Sequence, residues 1–263
     1  MAKKHKVALG IDIGGSGVKG APVDLEKGEM IGERFRIDTP QPATPEAVLE
    51  VVGRIVDHFA DDLPEDAAIG ITVPGVVQHG VVKFVGNLDD RWVDFDADTE
   101  FEKVLGRPVH VINDADAAGV AEARFGAAKG TEGLVLVMTL GTGIGSGAVY
   151  NGELLPNFEL GHLQMWGDKA EAKAAASAKE REELTFTEWA EERLQPYFSH
   201  VELLFSPELF VIGGGVSRKH EKFLPLLELD TPIVPAELKN TAGIVGTAVV
   251  AAEMVDGRTD DAT

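Results

Sequence analysis

The amino-acid sequence predicts an α/β protein built from two domains of similar design. Two glycine-rich stretches, DIGGSGVKGA (residues 12–21) and TLGTGIGSGA (residues 139–148), align at a constant offset of 127 residues, which pairs Gly14 with Gly141 and Gly20 with Gly147. An apolar run typical of a buried strand, VALGI or LVLVM, precedes each stretch. Since this offset is close to half of the 263-residue length, the repeat favours two related halves.

Both glycine-rich stretches are predicted to be turns between two strands. The first continues into GAPVDL, where Pro22 and Val23 oppose a helix, and it lacks the G-x-x-x-x-G-K-[ST] order of a P-loop. The second fits a dinucleotide fingerprint loosely, but no helical pattern follows it. Glycine turns can present backbone N–H groups to an anion, or they can be ordinary tight hairpins. Two related turns half a chain apart favour a phosphate site.

The segment RPVHVINDADAAGVAEARFG predicts a strand over residues 109–112 and then a helix of small residues. Asn113 and Asp114 come at the carboxyl end of that strand, which is where α/β sheets place their ligands. Taken alone, the segment favours Asp114 as a cap of the following helix over a catalytic role.

Two other short segments carry candidate polar side chains. NFELGHLQMW places Glu159 and His162 three residues apart, a spacing that serves either a metal or polyol site or a local ion pair. GNLDDRW offers Asn87 in a loop and is a weak signal alone.

A helix is predicted from about Phe186 to Phe205. Thr185 and Glu188 have the spacing of a capping box, the apolar residues recur at helical spacing, and Pro196 should kink the helix. The stretch LFVIGGGVS (209–217) then predicts another buried strand that runs into a third glycine cluster.

Charge and composition exclude several classes of protein. The 24 Lys and Arg against 44 Asp and Glu give a net charge of -20, which opposes general binding to nucleic acid or to anionic membranes. The absence of cysteine excludes disulfides and thiolate metal sites. No apolar run reaches the roughly 18 residues of a membrane span, and the basic start lacks a cleavage-type site, so we expect a cytoplasmic protein.

Five motifs in this order resemble the ROK family of sugar kinases. They are DIGGSGVKG, NDADAAGVAEARFG, LGTGIGSGAVYNGEL, ELGH and VIGGGVS, and together they span nearly the whole chain. Within the family, the NLDDRW loop and the long stretches LFSPELFVIGGGVSRKHEKFLP and AEAKAAASAKEREELTFTEWAEERLQ are most similar to the polyphosphate glucokinase group of actinobacteria. The resemblance implies an actin-like ATPase (ribonuclease H-like) fold of two α/β domains with an interdomain cleft that closes around the sugar.

The resemblance also implies a role for each matching residue. Asp114 would be the general base that takes the proton of the glucose 6-hydroxyl, and Asp12 would lie near Mg²⁺, through water. Asn87, Asn113, Glu159 and His162 would hold the remaining hydroxyls. The phosphates would be cradled by two sets of residues: Gly14, Gly15, Ser16, Gly17 and Lys19 in the first turn, and Thr139, Gly141, Thr142 and Gly143 in the second. Gly213, Gly214 and Gly215 would approach a nucleoside.

The phosphoryl donor implied by the resemblance is inorganic polyphosphate, with ATP as the alternative. A chain of charge -20 needs a local basic track for a polyanion. Arg218, Lys219 and Lys222 form one candidate track, and a solvated helix start explains them equally well. Lys169, Lys173, Lys179 and Arg181 alternate with glutamates, and a solvated helix is favoured there.

The implied domains are residues 1–113 plus 246–263 and residues 114–245, assembled as a homodimer. Because many ROK proteins bind zinc through one His and three Cys, a chain without Cys implies no zinc. An ATP-dependent glucokinase or glucomannokinase is the alternative activity. A sugar-sensing protein or an actin-like ATP-binding protein without kinase activity is the alternative class; for a DNA-binding repressor, the nine residues before Gly10 are expected to be too few.

Overall fold

A computed structural model describes residues 6–260 of the chain. The strands are β1 (Val7–Gly14), β2 (Gly17–Asp24), β3 (Glu29–Met30), β4 (Phe35–Ile37), β5 (Ile69–Val73), β6 (Gly75–Gln78), β7 (Val81–Val85), β8 (Val109–Asn113), β9 (Leu134–Leu140), β10 (Ile144–Tyr150), β11 (Glu153–Leu155), β12 (Gln164–Met165), β13 (Asp168–Lys169), β14 (Leu209–Gly213) and β15 (Ile233–Pro235). The helices are α1 (Pro45–His58), α2 (Ala97–Leu105), α3 (Asp114–Phe125), α4 (Glu171–Ala174), α5 (Ala176–Arg181), α6 (Phe186–Trp189), α7 (Gln195–Phe205) and α8 (Ala242–Asp260).

The chain divides into two compact units. The first contains the described residues up to Ala117 and those from Thr241 onward, and the second contains Ala118–Asn240. The boundary falls inside α3. The domains predicted from the sequence also include residues 1–5 and 261–263, which lie outside the described residues.

The sheet of the first unit is mixed. Its order is β3-β2-β1-β5-β8, with β4 paired to β2. β1 pairs antiparallel with β2 on one side and parallel with β5 on the other. All five residues of β5 are buried, and helix α1 covers the core with an apolar face. Helix α1 begins where the sequence supplies a cap, because the Thr44 hydroxyl accepts a hydrogen bond from the N–H of Ala47.

The sheet of the second unit has the same plan. Its order is β11-β10-β9-β14-β15, and β9 again lies between an antiparallel and a parallel neighbour. The internal repeat therefore corresponds to two sheets of matching topology. The two hairpins differ in length: Gly14 pairs with Gly17, whereas Leu140 pairs with Ile144, so the second turn holds one residue more.

The predicted helix over residues 186–205 is interrupted. Its capping box at Thr185 and Glu188 is confirmed, but α6 gives way to a π-helical segment over Ala190–Leu194 before α7 begins. Pro196 accounts for the interruption, since proline has no N–H for the hydrogen bond to the carbonyl four residues earlier. The aromatic residues of this region are core residues, as the sequence predicts; Trp189 and Phe198 are fully buried.

Helix α8 packs directly on the backbone of the first sheet. Gly10 of β1 and Gly70 of β5 are register partners. A Cβ at Gly10 would overlap the carbonyl oxygen of Ile244, and a Cβ at Gly70 would overlap that of Thr247. Glycine is needed at these two positions because the helix backbone occupies the space of a side chain.

No helix within residues 6–260 combines the length and the apolar character that crossing a membrane requires.

We predict that Gly70→Ala lowers the free energy of unfolding by about 1–3 kcal/mol, because the added methyl group forces α8 away from the sheet. Urea unfolding followed by circular dichroism measures the change. The matched control is Gly53→Ala on α1, where nothing lies within 4 Å of the added carbon; there we expect a gain of about 0.5–1 kcal/mol. Equal midpoints for the two variants would contradict the close packing of α8.

Candidate active site

The first glycine turn consists of Gly15 and Ser16 between β1 and β2. Arg36 of β4 lies beside it: Nη2 donates to the Ser16 carbonyl oxygen at 2.8 Å, and Nη1 donates to Asp38 at 2.7 Å. A Cβ at Gly17 would come within 2.6 Å of Arg36 Nε. The sequence offers no signal for Arg36, because its contact with the turn depends on pairing between distant strands.

Asp12 is held by the two neighbours of β1. Its Oδ1 accepts a hydrogen bond from the hydroxyl of Thr72 on β5 at 2.9 Å, and its Oδ2 lies 3.4 Å from Lys19 Nζ on β2. Both contacts follow from register, since Asp12 is opposite Lys19 in one ladder and opposite Thr72 in the other. The carboxylate is therefore oriented and partly exposed, three residues before Gly15 of the first glycine turn.

Asn113 caps helix α3. Its side-chain Oδ1 accepts hydrogen bonds from the N–H groups of Ala115 at 2.7 Å and Asp116 at 3.1 Å, while its Nδ2 donates to the carbonyl oxygen of Gly75 at 2.9 Å. The sequence taken alone favours Asp114 for this cap. In the structure Asp114 is the first residue of the helix, and its Oδ1 accepts the N–H of Ala115 at 2.9 Å.

The contacts of Asn113 lead to Asn87 and the first glycine turn. Gly75 follows Pro74, whose carbonyl oxygen accepts the N–H of Gly86 at 2.8 Å. Asn87 comes next in the chain, is exposed, and its Cβ would lie 3.5 Å from a Cβ built at Gly15. The first unit thus brings Asn87 to the glycine turn and connects both to the start of α3.

The second and third glycine segments meet on the sheet of the second unit. Gly213 is opposite Thr139 in the parallel ladder of β14 and β9. The next residue, Gly214, has a φ of 82° and lies so close to Leu140 that a Cβ would overlap its carbonyl oxygen. The segment from Gly213 to Gly215 therefore lies beside the turn over Gly141, Thr142 and Gly143.

Two helices hold the second glycine turn from outside. Ser177 of α5 donates its N–H to the Gly141 carbonyl oxygen at 3.1 Å and its hydroxyl to that of Thr142 at 2.6 Å. Glu171 of α4 accepts the N–H of Ile144 at 3.1 Å, and its carboxylate fills the space beside Gly143.

Glu159 and His162 belong to a cluster of four ionisable side chains. His162 Nε2 lies 3.3 Å from Glu171 Oε1 and 3.3 Å from Lys169 Nζ. The Glu-Leu-Gly-His segment is held on β10, since Ser146 Oγ donates to the Phe158 carbonyl oxygen and accepts the N–H of Leu160. Glu171 therefore connects the predicted pair to the second glycine turn, although the sequence gives Glu171 only as part of a charged run.

Burial and the neighbouring charges have opposing effects on the pKa of Glu159. Burial raises the pKa of Glu159 above its ordinary value, the positive charges of His162 and Lys169 oppose that rise, and the negative charge of Glu171 adds to it. Burial is the largest of these effects. The proton affinity of the carboxylate thus depends on how far the site excludes water.

Two remaining observations concern cations. In the part of the chain that the structure covers, no group of three or more His, Asp or Glu residues is arranged to hold a metal ion. Of the candidate basic track, Lys219 and Lys222 have their ammonium groups within 6.0 Å of the centre of the Phe186 ring, and Arg218 is exposed on the same segment.

Comparison with known proteins shows similarity along nearly the whole chain. The model of the ROK family matches residues 8–175. The polyphosphate glucokinase of Mycobacterium tuberculosis is 48% identical over 249 residues, which is 94% of this chain and 92% of the relative. Inorganic polyphosphate/ATP-glucomannokinase from Arthrobacter sp. strain KM is 54% identical with a TM-score of 0.90, covering 95% of this chain and 100% of that one. A ROK family glucokinase from Streptomyces griseus, solved with glucose and AMPPNP, is 26% identical with a TM-score of 0.80, covering 94% and 99%.

We predict that Glu159→Gln and Glu188→Gln change stability with opposite dependence on pH. Because the pKa of Glu159 is raised in the folded protein, this side chain stabilises the folded state fully at pH values below the pKa of a glutamate in the unfolded chain. That stabilisation is lost as pH rises through the pKa of Glu159 in the folded protein. Glu159→Gln should therefore gain stability relative to the wild type as pH rises above the ordinary pKa of a glutamate. A difference that does not vary with pH would contradict the burial of this carboxylate.

Glu188 is the matched comparison. Its pKa is lowered because its carboxylate accepts the backbone N–H and the hydroxyl of Thr185. This contribution is present above the ordinary pKa and is lost as pH falls through the lowered value, so Glu188→Gln should lose stability at neutral pH. Urea unfolding at several pH values measures both variants.

Proposed function

The chain belongs to the ROK family, and we propose that it is a polyphosphate-dependent glucokinase, which transfers the terminal phosphoryl group of inorganic polyphosphate to the 6-hydroxyl of glucose. The observation that carries the proposal is the match, over almost the whole length of both chains, to a relative named for this activity. The fold predicted from the sequence is confirmed: the matching ROK sugar kinases of known structure have the two-domain, actin-like ATPase fold.

In the proposed reaction the oxygen of the 6-hydroxyl attacks the terminal phosphorus. Asp114 takes the hydroxyl proton, the bond from phosphorus to the bridging oxygen breaks, and polyphosphate leaves shorter by one phosphate. The position of Asp114 supports this role, because the first turn of a helix favours a negative charge and Asn113 supplies the cap. A carboxylate within hydrogen-bond reach of an attacking hydroxyl is the usual base in phosphoryl transfer.

We assign the remaining sugar hydroxyls to Asn87, Asn113, Glu159 and His162. The contacts of His162 Nε2 with both Lys169 and Glu171 support its assignment, since they fix the position of the imidazole. Asn113 also holds α3 and Gly75, so it positions Asp114 in addition to any contact with sugar.

The phosphates are assigned to the glycine turns. Gly14, Gly15, Ser16, Gly17 and Lys19 form one set, Thr139, Gly141, Thr142 and Gly143 form a second, and Gly213, Gly214 and Gly215 border the second turn. The carbonyl oxygens of Ser16, Gly141 and Thr142 are bound by Arg36 and Ser177, and this directs the carbonyls of both turns toward protein donors. Turns of this kind offer their N–H groups to anions.

The residues around Asp12 fit Mg²⁺. A magnesium ion in phosphoryl transfer keeps several waters and takes one or two carboxylates together with the substrate phosphates. One oriented, partly exposed carboxylate next to a phosphate turn meets that requirement. When bound, the ion neutralises charge on the phosphates. No zinc is part of the proposal.

ATP is included as a second donor because the Arthrobacter relative is named for polyphosphate and ATP alike. The same name makes mannose a second acceptor to be tested. The homodimer and the cytoplasmic location implied by the family resemblance are also part of this proposal.

We predict that Asp114→Asn lowers kcat by about 10²- to 10⁴-fold or more while KM for glucose changes little, because the base is lost and the sugar contacts remain. Formation of glucose 6-phosphate is measured with Mg²⁺ and either polyphosphate or ATP at equal phosphate concentration. The exposed Asp61→Asn serves as the control with unchanged kcat. Wild-type kcat in Asp114→Asn would remove this residue from its role.

The same assay tests the activity as a whole. The proposal expects turnover that requires glucose and is faster with polyphosphate than with ATP. Turnover with ATP alone would leave an ATP-dependent glucokinase. Hydrolysis of ATP that is indifferent to sugar would instead indicate an actin-like ATPase without kinase activity.

We predict that Asp12→Asn raises the Mg²⁺ concentration for half-maximal rate by about 10- to 100-fold, the range for partners that hold a metal through water. The variant keeps the hydrogen bond from Thr72 but loses the negative charge. A magnesium titration at saturating glucose and donor measures the effect. An unchanged requirement would exclude Asp12 from the metal site.

A further inference from the structure

We infer that Lys179, Lys219 and Lys222, gathered around Phe186, bind the polyphosphate chain beyond the phosphate that is transferred. The inference rests on the proposed function and adds to it a second contact region for the donor. This region, which we call the Phe186 cluster, consists of these four residues in the second unit.

Two regions that are distant in sequence meet at the Phe186 cluster. Lys179 lies on α5, Phe186 begins α6, and Lys219 and Lys222 lie on the 3-10 segment Gly215–Lys222. The three ammonium groups are 4.4, 6.0 and 5.6 Å from the centre of the ring. Each distance is within the range of a cation–π contact.

The ring itself is fixed by the core. Phe186 stacks on Phe223 with the ring centres 6.0 Å apart and the planes 11° apart, and it meets Trp189 at 6.3 Å. Both partners are fully buried. The three lysines therefore converge on a rigid support.

The cluster is cationic in a strongly acidic chain. Across residues 6–260, no ion pair joins Lys179, Lys219 or Lys222 to a carboxylate, although the chain carries 44 Asp and Glu residues. Each ammonium group lies within about 6 Å of the same ring centre, so no two of them are more than about 12 Å apart, a separation of the order of the Debye length of about 8 Å at physiological salt, and they act jointly on an anion. A bound polyanion would remove the repulsion between them.

The cluster is connected to both glycine segments of the second unit. Ser177, two residues before Lys179 on the same helix, binds the carbonyl oxygens of Gly141 and Thr142. Lys219 and Lys222 lie on the 3-10 segment that begins at Gly215, directly after the third glycine cluster. The three lysines therefore lie on elements that border the second glycine turn, where a chain of phosphates would be held.

The chemistry of the cluster favours a repeating anion over a nucleotide. Three cations occupy the surroundings of the only ring in the cluster, which leaves that ring poorly available for stacking on a base. Lysine binds phosphate as a flexible point charge, without the planar geometry that guanidinium requires. A flexible chain with one charge on each phosphate can engage all three lysines at once.

The test compares Lys→Gln variants at positions 179, 219 and 222, singly and together, with Lys129→Gln as the control. Lys129 is exposed in the same unit and outside the cluster, so the control makes the same change of charge as each single variant. KM is measured for long-chain polyphosphate, tripolyphosphate and ATP, together with the affinity for long-chain polyphosphate by calorimetry without glucose.

We predict that the triple variant raises KM for long-chain polyphosphate by about tenfold or more and lowers the slope of log KM against log salt concentration by about 2, as expected when three cations are lost. KM for tripolyphosphate and for ATP should stay within about twofold of the wild type, since their phosphates are assigned to the glycine turns and the nucleoside of ATP to Gly213, Gly214 and Gly215. Phe186→Leu should give a smaller rise, because the lysines keep their charge but lose the shared ring.

Two results would overturn the inference while leaving the kinase intact: a triple variant indistinguishable from Lys129→Gln with long-chain polyphosphate, or an equal rise of KM for ATP. Wild-type protein that neither binds polyphosphate nor uses it with glucose would instead contradict the proposed donor itself. Normal ATP kinetics in each variant show that the variant has folded.

Discussion

In each unit, one strand with two different neighbours sets the position of the polar side chains. β1 has an antiparallel partner on one side and a parallel partner on the other, and β9 repeats this arrangement. The antiparallel partner returns through a glycine turn, while the parallel partner carries its own carboxyl end to the same edge. Register therefore brings Lys19 and Thr72 to Asp12, and it brings Gly213 to Thr139. A slip of one residue would turn every one of these side chains to the opposite face.

Features that are local in the chain could be predicted from the sequence. The glycine turns, the strand before Asn113 and the capping box at Thr185 depend on a few adjacent residues, and each is present in the structure. The contacts of Arg36 with Ser16 and of Glu171 with His162 could not be predicted, since they join segments that only the folded sheets bring together. Composition was misleading at Lys179, where alternating charge indicates a solvated helix but folding places the ammonium group on an aromatic ring.

The proposed function requires a protein of net charge -20 to bind phosphates. Cations are placed locally and held by geometry: Lys19 lies beside Asp12, Arg36 lies beside the first turn, and Lys169 lies beside His162. The excess of carboxylates keeps the rest of the surface repulsive to polyanions. Selectivity for a phosphate donor would then come from a few positions, and the bulk charge would limit binding elsewhere.

The packing of α8 also governs the order in which the protein is assembled during translation. The helix over residues 242–260 is synthesised after the entire second unit, yet it contacts β1 and β5, which leave the ribosome first. Until it arrives, Gly10 and Gly70 line an open, apolar face of the nascent sheet. The second unit is continuous in the chain, so all of its strands have been synthesised before α8 is made. Vectorial synthesis thus lets the later half of the molecule complete its sheet before the earlier half, and it leaves the nascent first sheet without its covering helix until α8 has been synthesised.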